Sequence, residues 1–150
     1  MTLIERLQER LNRVRSMHFV SRPGPRSVTG WQGEGQGQVA VELLDDGVRF
    51  VETGTFALAG QASPVAITNA FRWHIHATHV ALSHERRGAD AAVHLFDLHP
   101  LDDDRLASLE GHQCAADLYT AHLTLSAAGI DLEWRIEGPK KDEWLHYRYA

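Results

Sequence analysis

The chain has 150 residues, 43% hydrophobic and 23% charged, a balance that fits one folded domain and excludes a disordered polypeptide. Its formal net charge of −5 offers no positive field to a phosphate backbone, so nucleic acid is not an expected partner. A single cysteine, Cys114, leaves no intramolecular disulfide, and no apolar run approaches the roughly 20 residues that cross a bilayer. The opening MTLIERLQERLNRVR mixes acids and bases and so does not read as a signal peptide. These features predict a cytoplasmic protein without membrane contact.

The first element reads as a short helix over residues 1–13. Leu3, Ile4, Leu7, Leu11 and Val14 recur on one stripe at helical spacing. Thr2 and Glu5 have the spacing of a capping box, and Arg13 and Arg15 sit where the helix dipole favours cations. An isolated amphipathic helix must dock, and the expected place is a barrel end or sheet face.

After Arg22 the pattern changes. Pro23-Gly24-Pro25 breaks regular structure, and glycines then punctuate runs rich in β-branched and aromatic residues. Strands are predicted near residues 14–21, 30–44, 48–58, 66–76, 78–85, 91–98, 112–126, 130–138 and 142–149. Asp45-Asp46-Gly47 and Ala127-Ala128-Gly129 fit hairpin turns. The segment HPLDDDRLASLEG reads as an acidic loop with at most one helical turn. The pattern predicts a single all-β domain over 1–150: an antiparallel barrel of about 8–10 strands with one N-terminal helix.

Two-residue alternation assigns faces. Leu132, Trp134 and Ile136 share one side, opposite Glu133, Arg135 and Glu137. Tyr119, Ala121, Leu123 and Leu125 must meet them, because a one-residue slip would bury three charges. Leu145, Tyr147 and Tyr149 complete the inner ladder, and Asp117 follows Tyr119 inward. Phe50, Glu52, Gly54 and Phe56 form the inner face of FVETGTF; Phe71, Trp73 and Ile75 form that of FRWHI; His94, Phe96 and Leu98 that of VHLFDL.

The predicted interior therefore brings Glu52, Asp117, Tyr119, Tyr147 and His94 among Trp73, Trp134 and apolar walls. An apolar cavity with a few convergent polar groups is the usual form of a small-molecule site. These seven residues are the predicted ligand-binding set, for a small apolar ligand carrying polar groups. No catalytic residue is assigned, and no pattern requires a cofactor.

Other signals read as structural. His112 and Cys114 have the composition of a base and a nucleophile, but along one continuous strand they face away from the interior. His74 and His76, with His79 and His84 behind them, form an HxH pair that alternation places outside, so no metal site is expected. GEGQGQ lacks the Gly-Lys-Ser/Thr and the helix of a phosphate loop. Its glycines mark strong bending or a closely lying helix. GPKKD fits a tight turn with Pro139 at its second position and solvated Lys140 and Lys141.

At the level of motifs, GHQCAADLY, EWRIEGPKKD and the terminal YRY resemble the HPCGADLY, WxVxGPRKD and YRR blocks of a bacterial lipocalin-like family. This is a domain-of-unknown-function family of the DUF6314 type. The likeness spans roughly residues 14 to 150. HxCxxDxY and GPKKD are its specific parts, and FVETGTF, FRWHI and VHLFDL correspond to weaker blocks. Gln113 stands where the family has proline, and SMHFVSR where a tryptophan is frequent. The resemblance implies a calycin-type barrel and no particular reaction.

Overall fold

A computed structural model describes residues 1–150. Helix α1 runs over Leu3–Leu11, shorter than the expected 1–13. Its capping box is complete: Thr2 Oγ1 accepts from the Glu5 N–H at 3.1 Å, and the Glu5 carboxylate accepts from the Thr2 N–H at 3.0 Å. Ile4, Leu7 and Leu11 are buried along its inner stripe, with Val14 just beyond its end.

Eleven strands follow: β1 Ser16–Pro23, β2 Gly33–Leu44, β3 Gly47–Leu58, β4 Val65–Ile75, β5 Val80–His84, β6 Val93–Pro100, β7 Arg105–Ala107, β8 His112–Cys114, β9 Asp117–Leu125, β10 Ile130–Glu137 and β11 Asp142–Tyr149. Each pairs antiparallel with its neighbours in the order β10-β11-β1-β2-β3-β4-β5-β6-β7-β9, and pairing of β9 with β10 closes the ring. The result is a closed ten-strand barrel, with β8 attached to the upper part of β9.

The closing ladder has the expected register. Leu132 lies opposite Leu123 and Tyr147, and Trp134 opposite Ala121 and Leu145. Glu133 faces His146 and Asp131 faces Arg148 on the outside. The inner residues merge into one cluster that includes the helix stripe. Helix α1 lies over the end of the barrel formed by the β6–β7 and β9–β10 connections. Arg6 donates to Asp103 O at 2.8 Å and pairs with Asp104, while Arg10 donates to Ser126 O.

Three local readings are corrected. The acidic segment is not all loop, because Arg105–Ala107 forms β7 between β6 and β9. Residues 112–126 are not one strand: the chain reverses at Ala115-Ala116, and Ala115 adopts φ 53° without a glycine to signal it. In GEGQGQ the close neighbour is a ring rather than the helix, since a Cβ at Gly35 would run into Phe19. Phe19 lies flat there, stacked 4.9 Å from Tyr147 and 5.5 Å from Phe56.

Candidate functional site

Exposure along the inner faces of β4, β9 and β10 rises away from the helix, whereas Ser21 on β1, Phe56 on β3 and Glu143 on β11 stay buried at that end. On β10 it passes from Ile130 and Leu132, at 1% and 2%, through Trp134 at 9% to the half-buried Ile136. On β9 and β4 the same progression ends at Tyr119 and at Asn69 with Ile67, while on β11 the half-buried Leu145 is followed by the buried Glu143. The barrel therefore has a floor sealed by α1 and an opposite end that is looser along β4, β9 and β10.

Beneath that opening lies an aromatic layer. Trp134 packs 6.2 Å from Tyr147, 5.9 Å from Phe96 and 6.3 Å from Tyr119. Tyr147 stacks on Tyr149 at 5.7 Å, and Tyr149 meets the edges of Phe50 and Trp73. Glu52 points into this layer and is 1% exposed. Its Oε2 accepts from the Tyr149 hydroxyl at 2.6 Å, whereas Oε1 is buried without a partner. The indole N–H groups of Trp73 and Trp134 are likewise buried and unpartnered.

Burial raises the Glu52 carboxyl to about 7, partly opposed by the Tyr149 hydrogen bond. The cause is desolvation of a charge in an apolar setting. The same desolvation pushes both Tyr147 and Tyr149 upward, and the adjacent carboxylate adds to it. Tyr149 is the polar neighbour that the predicted ligand set omits. Its inward parity is readable from the sequence, but its partnership with Glu52, 97 residues away, is not.

Glu52, Trp73, Trp134, Tyr147 and, at the rim, Tyr119 thus face one interior. Asp117 does not join Glu52. It sits at the open end, 3.3 Å from Lys141 and packed over Gly138, with its side chain 20% exposed. Lys141 is therefore paired rather than simply solvated. His94 is turned outward, a correction caused by a bulge at Leu82/Ser83 that pairs Ser83, rather than His84, with His94. It lies 3.5 Å from Asp97, and desolvation lowers its pKa.

The hairpin also changes the reading of His112 and Cys114. Across β8–β9, His112 faces Tyr119 and Cys114 faces Asp117, and cross-strand partners share a side. They therefore sit on the same side of the β8–β9 hairpin as Tyr119 and Asp117, at the rim of the barrel. The His112 ring meets that of His94 at 4.6 Å, beside a cleft of about 400 Å³ lined by both, by Asp97, His99 and residues 109–111. The cleft lies where the upper part of β6, paired with β5 on one side, has no ladder partner on the other, because β7 pairs only with His99 and Pro100.

Four other histidines form an outer row. His74 and His76 are 4.3 Å apart, His76 and His79 4.4 Å, and His79 and His99 5.2 Å. The last two pairs stack face to face, and no three of the His, Cys, Asp and Glu side chains converge as a metal-binding group. Asp46 closes one end of the row at 3.1 Å from His74.

The motif GPKKD is a structural clasp. Asp142 accepts from Arg135 at 2.9 Å and from the Arg26 N–H, and Glu143 accepts from Ser27 Oγ and Thr29 Oγ1, both at 2.6 Å. Together these hold residues 24–32 across one side of the opening.

The two specific motifs therefore meet at this end of the barrel, through Asp117 and Lys141. Residues 17–150, from β1 onward, match the family of unknown function DUF6314. The chain belongs to this family. No curated protein and no solved structure matches it. For this DUF6314 member, the closed barrel agrees with the lipocalin-like fold that the sequence blocks implied. No helix of the DUF6314 chain is long and apolar enough to cross a membrane.

Proposed function

We propose that the chain is a small-molecule-binding barrel that admits a mostly apolar ligand through the end opposite α1. The observation carrying this reading is the exposure gradient along the inner faces of β4, β9 and β10, beneath which lie buried polar atoms that the chain leaves unpartnered. Each such atom costs roughly 1–3 kcal/mol if nothing satisfies it, and a bound molecule removes that cost. Ile67, Ile136 and Leu145 supply an apolar sleeve, Trp134 and Tyr119 stacking surfaces, and Glu52 and Tyr147 an orienting polar pair above Trp73. The lone thiol of Cys114 suits a cytoplasmic setting, and the negative net charge argues against nucleic acid as the partner.

The test is native mass spectrometry of the purified protein with solvent extraction of anything bound. A co-purifying small molecule is expected, and Trp134→Ala should weaken its rebinding at least tenfold while circular dichroism stays unchanged. If nothing co-purifies and apolar dyes leave the tryptophan fluorescence unaltered, the barrel is a filled interaction module instead. An enzyme is the second reading, favoured by a carboxyl at about 7, the range in which an acid–base group works best near neutral pH. It predicts that Glu52→Gln abolishes turnover while ligand binding persists.

A further inference from the structure

Apolar burial alone does not account for the acid in the lumen. Glu52 lies among aromatic rings, with one oxygen held by Tyr149 and the other free. No cation of the chain reaches it. Arg49 and Arg72, on the strands that carry and flank it, point outward and are held by Glu42, Glu85 and Asp46. The titratable groups facing Glu52 are Tyr147 and Tyr149 on β11. Its cross-strand neighbours are Val39 on β2 and the half-buried Asn69 on β4, neither of them charged.

Building on the lumen reading above, we propose that the ligand's polar group is a cation, a protonated amine or quaternary nitrogen on an apolar body, seated against Glu52 Oε1. Two independent attractions converge there. An ionised carboxylate buried without a counter-charge is strongly disfavoured, and a cation relieves it directly. The rings of Tyr149 and Trp73, in edge-to-face contact beside the carboxylate that Tyr149 holds, add the electron-rich aromatic setting that favours organic cations in desolvated sites. A neutral hydroxyl would satisfy the oxygen but not the charge, and a carboxylate would meet like charge. The free N–H groups of Trp73 and Trp134 leave room for one hydrogen-bond acceptor elsewhere on the same molecule.

Three probes sharing one ring system separate these cases: 1-naphthylmethylammonium, 1-naphthalenemethanol and 1-naphthoate, titrated calorimetrically into ligand-stripped protein at pH 8. The ammonium should bind at least tenfold tighter than the alcohol, with the carboxylate weakest. Glu52→Gln should erase the preference, whereas Tyr149→Phe, which keeps the carboxylate, should preserve it. In the unaltered protein the ammonium's affinity should fall from pH 8 to pH 6 as Glu52 takes up a proton, while the alcohol's stays level. Equal binding of ammonium and alcohol, or a preference that survives Glu52→Gln, overturns the cation and leaves the lumen standing. Silence from all three probes overturns both.

Discussion

Replacing Glu52 with glutamine should make the protein more stable at alkaline pH, against the usual cost of altering a buried residue. The carboxyl ionises near 4.5 when exposed and at about 7 in the fold. Below 4.5 both states are protonated and stability does not depend on this group. Between 4.5 and 7 the folded chain keeps a proton that the unfolded chain has lost, so stability falls as pH rises. Above 7 both are ionised and the full penalty persists. At ~1.4 kcal/mol for each tenfold step, the difference amounts to about 3 kcal/mol.

The introduced amide can still accept from the Tyr149 hydroxyl, and it places an unpartnered NH₂ where an unpartnered carboxylate oxygen now sits. Glu52→Gln should therefore gain about 2–3 kcal/mol at pH 8 and close to nothing at pH 4.5. Urea denaturation of both ligand-stripped proteins at half-unit pH intervals measures this directly. Parallel pH profiles, or a glutamine variant less stable than its parent at pH 8, would refute the desolvation argument.

Leu7 is fully buried in the helix stripe, so Leu7→Ala should cost about 2–4 kcal/mol in urea denaturation, because α1 seals the barrel floor. An unchanged midpoint would mean that the helix merely rests on the surface. Combining Ser27→Ala with Thr29→Val removes both donors from the buried Glu143 carboxylate. This should cost about 2–4 kcal/mol and raise amide hydrogen exchange in residues 24–32. Exchange that stays slow there would show that the clasp depends on Asp142 alone.

The sequence is most informative where charge and apolarity alternate without interruption. Glu133, Arg135 and Glu137 admit one register for β10, and that register brings Tyr119, Trp134 and Tyr147 to the same interior. Extending the parity of DEWLHYRY one step also finds Glu143, although a carboxylate at a strand start ordinarily faces water. His94 defeats the alternation because a single-residue bulge leaves no compositional mark yet reverses every face beyond it. The β8–β9 hairpin is hidden for a similar reason: its turn uses Ala115 in a conformation usually signalled by glycine. The Glu52–Tyr149 pair depends on closure of the whole ring, and no local pattern announces it.

The seam between β1 and β11 sets the order in which the chain can assemble. Met17 aligns with Tyr149 and Phe19 with Tyr147, residues from opposite ends of the sequence. During synthesis the early hairpins can form as they emerge, but the ring stays open until the last strand arrives. Long-range pairing of this kind slows folding towards the millisecond-to-second range. Throughout that interval the unpaired edge of β1 and the aromatic interior are open to other chains, so crowding and elevated temperature during expression, rather than weak final stability, should govern how much of the protein is recovered intact.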